Sequence, residues 1–481
     1  MHPLNLLSCL SIALLTFVGF GATDRYVSTN AVWKSEINPA VCYSSIQAAI
    51  DAASSGDTVW VKDGYVCSEG STEWNGGKRR IAIVGKTVTL RSESGIVDLS
   101  KGKGATIVGT PDPTGEYGLG PDAVACIGCA INKAIRIVGF RLTGGRTCPY
   151  EKVNGWKAYG GGICFSGSLE NCLVDNCAAG VGGGVSINNN SGEIPTLLNC
   201  VVSNNLSNTQ GGGGVRQCIC RDSTIVGNVA TNVEWTAAGA GVHSGMLTNC
   251  VVKNNRAYGS SSRNQANGGG VYNAPCYGCR IVGNYAANTG GGWSANGCEG
   301  ANNVIMANLA GMGEGAVAGA GVCYNMLIVA NTNENVSWSK SSMVAGTANV
   351  TKLYNCTIAD NVSSKGGCSG VSNAGIVNTI IWNNSHMGIS SATNSCAKGL
   401  DDGLGPKNIS EDPKFVGGKG ADGYCLKVRS PCWDAGLELP WMKNKASVLS
   451  RDFRGKRRIL GAGPDIGASE FSAYGIQIIV R

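Results

Sequence analysis

The chain has 481 residues, including 72 Gly and 22 Cys, with 43% hydrophobic, 15% charged and 6% aromatic residues and a net charge of +7. That much apolar material excludes a disordered polyelectrolyte, and Gly without a G-X-Y period excludes collagen. The positive charge is local: from Trp441 to Arg481 eight basic residues stand against three acidic, which disfavours a nucleic-acid surface along the whole body.

At the start of the chain, Leu10 to Phe20 is an apolar run closing on Gly19-Phe20-Gly21-Ala22, small residues suited to signal-peptidase cleavage. The run is too short to cross a bilayer, and no later stretch reaches about 18 consecutive apolar residues. Residues 1–22 therefore read as a signal peptide, and the rest as a secreted or surface-held chain without a transmembrane segment. Residues 23–57 read as a cap. Ser44 and Gln47 form a capping box, and Ile46, Ala49, Ile50 and Ala53 line one face of a short amphipathic helix.

Further on, one pattern recurs nine times. It opens on Asn171, Asn199, Asp222, Asn249, Gly278, Asn302, Asn325, Asn355 or Asn378. Three residues later stands Val174, Val202, Ile225, Val252, Ile281, Ile305, Ile328, Ile358 or Ile381, a β-branched strand position facing a core. Three residues beyond that come Cys177 and then eight asparagines: Asn205, Asn228, Asn255, Asn284, Asn308, Asn331, Asn361 and Asn384. Most repeats continue into Gly-x-Gly and an apolar residue, as in 212–215, 239–242, 268–271 and 290–293. Short strands, an Asn and a Gly-rich bend at a period of about 26 residues are the coils of a β-solenoid, expected over 58–400. Gly in every unit and the lack of a 3.6-residue period exclude a helical solenoid. Stacked coils lie about 4.8 Å apart, so the Asn column is a structural ladder. Asn suits it because it tolerates left-handed backbone and its amide bonds to the copies above and below.

With these repeats, the chain resembles secreted bacterial right-handed parallel β-helix repeat proteins of the pectate-lyase-like superfamily. Tyr26-Val27-Ser28, Ser45 to Ala53 and Gly56 to Gly64 are similar to the opening of such proteins. Ser430-Pro431-Cys432-Trp433-Asp434-Ala435-Gly436, Asp452 to Gly455 and Asp465 to Phe471 are similar to their closing segment, here 401–481. The resemblance implies an all-β, single-stranded right-handed parallel β-helix with a helical N-terminal cap, and export. It is weak for activity, because the superfamily includes enzymes and adhesins.

Without Cys9 in the signal region, 21 cysteines remain, an odd number. Cys172, Cys200, Cys250, Cys279 and Cys356 share one repeat position with Ser223, Asn303, Met326 and Thr379, and Cys220, Cys276 and Cys323 share another with Leu. Reduced, buried ladder thiols are expected, with a few bridges among Cys126, Cys129, Cys148, Cys425 and Cys432. Cys126-x-x-Cys129 and Cys276-x-x-Cys279 are too far apart in sequence for a shared zinc site.

Acids on the coils are scattered (Asp175, Asp222, Glu234, Glu314, Asp360), whereas glycoside hydrolysis needs two carboxyls flanking one bond. Asp401 and Asp402 form a weak metal candidate. His243 and His386 read as surface or turn residues. From each ladder Asn to the next Gly segment the spacing varies most, so insertions gather at one corner of the coil, where repeat proteins place binding loops. Trp235, Arg263, Asn264 and Gln265 on those insertions, with Arg454, Lys456, Arg457 and Arg458 at the basic end, are the candidate binding residues. The expected function is non-catalytic binding of a glycan or another surface polymer, with no cofactor. The alternative is a polysaccharide lyase or glycoside hydrolase, and calcium enters only with that alternative.

Overall fold

The structure is a computed structural model that describes residues 23–29, 37–74, 77–129, 135–147, 158–187, 193–231, 237–259, 266–334, 348–364, 370–384 and 387–471. The chain is a parallel β-helix. Among the described residues, its first sheet runs from Asp24–Val27 to Ile389–Thr393, its second comprises 13 strands from Val66–Cys67 to Cys396–Ala397, and its third comprises eight from Ala178–Ala179 to Val362–Ser363. Ladder pairing is parallel, apart from the antiparallel hairpin of Thr72–Trp74 with Gly77–Ile83. Thirteen stacked strands at about 4.8 Å make a rod of about 60 Å.

The N-terminal plug is the helix Ile46–Ala52, with Ile46, Ala49 and Ile50 buried. Its cap is Ser45, one residue later than the expected Ser44, whose hydroxyl accepts the Ala48 N–H. Gln47 does not close a capping box. Its amide exchanges two hydrogen bonds with the Ala82 backbone, clipping the helix to the first sheet.

Each three-residue strand of the second sheet is bounded by two left-handed residues, and a buried side-chain acceptor follows each of them. All nine residues that open the repeats have φ between 50 and 65°. At the second turn the left-handed residue precedes the ladder: Asn204, Gly227, Asn254, Gly283, Ala307, Ala330, Asp360 and Asn383. The ladder asparagines themselves are not in that conformation, which corrects half of their expected role. Their amides do the rest. The Asn284 Oδ1 accepts both the N–H and the Nδ2 of Asn255, each at 2.9 Å, while the Asn284 Nδ2 donates to the Val252 carbonyl and to the Asn308 Oδ1 at 3.0 Å. The same contacts repeat from Asn205 to Asn384.

The Gly-rich bend is the other half of this device. A Cβ on Gly214, Gly241, Gly270 or Gly292 would stand 2.9–3.0 Å from the ladder amide nitrogen, closer than carbon and nitrogen pack. Gly and Asn recur together because the bend must let the amide in.

At the first turn the buried acceptor is Cys, Ser, Asn or Thr. The Cys200 N–H donates to the Ser223 hydroxyl, the Cys279 N–H to the Asn303 Oδ1, the Phe140 N–H to the Cys172 sulfur and the Cys356 N–H to the Thr379 hydroxyl. Exchange of Cys with polar residues follows from this role, in addition to burial. The 19 cysteines among the described residues are free. The expected bridges at Cys126, Cys129, Cys425 and Cys432 are therefore absent, and Cys148 lies outside the described residues. Cys126 donates to two backbone carbonyls, and Cys425 accepts from the Arg454 guanidinium. Burial pushes the thiols up, Cys164 and Cys356 to about 12, so they stay neutral and poorly nucleophilic.

The C-terminal segment does more than close the end of the rod, for it folds back along the last coils. Asn302, Asn325, Asn378 and Asn394 donate side-chain N–H groups to carbonyls of residues 435–451. Trp441 stands edge-on to the stacked rings of Tyr324 and Tyr354, at 5.4 and 5.2 Å. Gly467, at φ 106°, lies flat on the second sheet, where a Cβ would meet Ile380 and Thr357 at 2.7 and 2.9 Å. Next to it the Ala468 N–H donates to the Thr357 hydroxyl.

The similar closing motifs meet in one buried knot. Asp465 accepts from the Asp434 and Phe471 N–H groups, Glu470 from the Asp465 N–H, and Asp452 from the Arg454, Lys456 and Glu470 N–H groups. Arg458 is 0% exposed and donates to the Asp465 carbonyl. Its proposed place in an exposed basic contact is therefore corrected: after the bridge of Arg451 with Arg457 it turns inward against Asp465 and Glu470, while Arg454 and Arg457 face solvent.

Two outcomes follow. Asn284→Ala orphans the buried Asn255 N–H and should lower stability by about 1–3 kcal/mol in urea unfolding, against about 0.5 kcal/mol or less for Asn249→Gly at the exposed first turn. Burial raises Asp465 to about 6 and Glu470 to about 9, outweighing the Arg458 charge. Both carboxyls thus favour the folded state when protonated, a contribution complete below about pH 4 and lost as pH rises through 6 and then 9. Protease cleavage within 435–471 should rise in two steps over that window, and Glu470→Gln should remove the upper one.

Candidate functional site

Ladder geometry makes the outer face of the third sheet a rigid platform. Its inward residues are small, with Ala230, Ala257 and Ala286 buried, while alternation sends Arg256 and Tyr258 outward beside Tyr285 of the next coil. The rings of Tyr258 and Tyr285 lie 5.7 Å apart, tilted by 47°, and Tyr258 is 40% exposed. Burial raises the Tyr285 hydroxyl above its ordinary value, helped by Glu334 and Tyr258 and opposed by Arg256. Exposed Lys253 and Arg280 stand on the outer face of the adjoining second sheet. Two successive coils thus present an aromatic pair, with Arg256 on the same face and Lys253 and Arg280 on the adjoining sheet.

The insertions leave from the same corner. Residues 232–236 lie between Thr231 and Ala237, and 260–265 between Tyr258 and Ala266. Thr231 pairs with Tyr258, and Ala237 with Ala266, so both insertions are anchored at stacked positions. Trp235, Arg263, Asn264 and Gln265 lie outside the described residues. Sequence reading missed Tyr258 and Tyr285, although Tyr258 sits three residues after the ladder residue Asn255 and Tyr285 directly after Asn284. That register, read as an outward position, would have found them.

The remaining candidates stand elsewhere. Arg454 is partly engaged by Asp422 at 3.5 Å and by Cys425; Lys456 and Arg457 lie on the turn held by Asp452. Asp401 and Asp402 are exposed and cap a short 3-10 turn, Asp401 accepting from the Gly403 N–H and Asp402 from the Asn408 N–H. Among the described residues no three His, Cys, Asp or Glu side chains are grouped to hold a metal ion. His243 lies 3.2 Å from the Ser244 hydroxyl and 5.1 Å from the Tyr272 ring, and burial, with Arg216 alongside, lowers it to about 4. Among the described residues no carboxylate hydrogen-bonds this imidazole.

A separate cavity of about 590 Å³ opens on the first sheet, lined by Val88, Thr89, Ile135, Arg136, Ser168 and Glu193 among others. Arg136 grips Glu170 with two hydrogen bonds of 2.8 and 2.7 Å and holds that carboxyl below its ordinary value. The carboxylate is therefore ionised and committed to its partner.

No family model matches the sequence, and no curated protein matches it. Among solved structures, the chain is similar to the crystal structure of pectate lyase Pel9A, with a TM-score of 0.37 and 13% identity over 94% of this chain and 98% of that one. No helix among the described residues is long and apolar enough to cross a membrane.

Proposed function

We propose that the protein is an exported β-helix, secreted or held at the cell surface, that binds a glycan or similar surface polymer on the outer face of the third sheet without catalysis. The observation that carries this reading is the outward-facing pair of exposed Tyr258 and half-buried Tyr285 beside Arg256, fixed on strands rather than loops. A tyrosine offers an apolar ring and a polar tip, which suits the two faces of a sugar. The neighbouring cations favour a polymer that bears carboxylates or sulfates. The scattered acids support binding over cleavage: Asp175 is paired with Arg141, Glu170 with Arg136, and Asp360 accepts from Tyr424, so these three are not available as a proton-donor and base pair. The apolar N-terminal run supports export, which makes residues 1–22 a removable signal in this reading.

Affinity electrophoresis in gels containing alginate, polygalacturonate or a neutral glucan tests it. The chain should be retarded by at least one acidic polymer, and Tyr258→Ala with Tyr285→Ala should weaken retardation about tenfold, equivalent to about 1.4 kcal/mol. Shortening of the polymer, or retardation unchanged in the double variant, would contradict the reading.

A further inference from the structure

The repeat puts chemically equivalent residues in columns, so the two halves of the rod can be compared position by position. In the last coils the corner between the first and second sheets is covered. There Asn302, Asn325 and Asn378 donate to the carbonyls of Val448, of Leu449 and Arg451, and of Leu437, at 2.7–3.0 Å, and Asn378 also accepts the Leu437 N–H. Beside this Asn column, the second-sheet residues Val304, Leu327 and Ile380 are 3, 0 and 1% exposed. On its other side, Tyr324 and Tyr354 lie against Trp441.

In the coil that opens on Asn199 the same columns are bare, whereas one coil earlier the Asn171 Nδ2 again donates to a backbone carbonyl, that of Gly95 at 3.1 Å. Asn199 is exposed, and its Nδ2 donates to the Asn171 Oδ1 at 2.7 Å. Val201, in the column of Val304, Leu327 and Ile380, is 39% exposed. Leu198, in the column of Tyr324 and Tyr354, is also 39% exposed, and Ile194, four residues before it, is 54% exposed. Leu198 and Val201 thus stand in water on either side of an Asn whose counterparts read a backbone, and clustered exposed apolar residues mark interaction sites.

We propose that the corner formed by Leu198, Asn199 and Val201 docks an extended polypeptide segment of a partner chain, in the way the last coils hold residues 435–451. The Asn199 amide takes a carbonyl of the segment, and Leu198 and Val201 take an apolar or aromatic side chain on either side of it. Backbone recognition through a side-chain amide supplies orientation, and the apolar pair supplies affinity. The site is separate from the third-sheet face and does not depend on it.

The test uses the full chain and a fluorescein-labelled peptide with the sequence of residues 435–451, followed by fluorescence anisotropy. The downstream corner is filled by the chain's own segment, so saturable binding reports the open one. Leu198→Asp with Val201→Asp should weaken binding at least tenfold, and the milder Leu198→Ser with Val201→Ser should weaken it in the same direction with an unchanged thermal midpoint. A photo-crosslinking version of the peptide should label residues 196–203. Absence of binding, equal binding by both double variants, or binding that appears only in Trp441→Ala would overturn the proposal. Self-association of the free chain that the same variants abolish would also overturn it, by making a second copy the occupant.

Discussion

A buried amide between two coils can be satisfied only by the backbone of its neighbours and by its own copy one coil along. That constraint governs the rod. Each ladder Asn side chain closes three to five hydrogen bonds, and it fits because the facing bend carries Gly at the one position where a side chain would collide with the amide. Burying an unsatisfied amide costs several kilocalories per mole, so a coil out of register is penalised at once. The same logic explains the first turn, where Cys, Ser, Thr and Asn alternate as acceptors of a backbone N–H from the preceding coil. Cysteines at this turn thus serve as small buried acceptors, and those among the described residues form no cross-links.

With register set by the interior, the exterior is free to vary, and it varies along the rod. The C-terminal segment folds back over the second sheet and the adjoining corner, leaving the coil that opens on Asn199 uncovered in those columns. The third sheet presents tyrosines and arginine on a flat, ordered face, next to the corner where the coil admits insertions. The proposed ligand face and the self-covered corner therefore use the same architectural freedom on different sides of the rod.

Much of the fold was legible because a repeated fold repeats its rules. The β-branched core positions, the Asn column and the Gly bends were each readable at a fixed spacing, and the nine repeat-opening residues all take the left-handed turn. What escaped was whatever depends on contacts between distant segments. The path of residues 435–471 back along the rod has no periodic signature, and Arg458 reads as a surface charge until its neighbours Asp465 and Glu470 are folded around it. The disulfide expectation failed for a related reason, since counting cysteines says nothing of the carbonyls that their thiols meet. At the site, Tyr258 and Tyr285 were visible in principle from the strand alternation, but attention to the variable insertions drew the reading to Trp235 and Arg263–Gln265 instead.

Residue-resolved hydrogen exchange of the full chain at neutral pH tests the central claim most directly. If the buried amide ladder holds the coils in register, the backbone N–H groups of Asn228, Asn255, Asn284, Asn308 and Asn331 should exchange in the slowest class, by global unfolding alone. Those of Asn199 and Asn249 at the exposed first turn should exchange faster. Exchange of the ladder amides as fast as, or faster than, these first-turn amides would contradict the account.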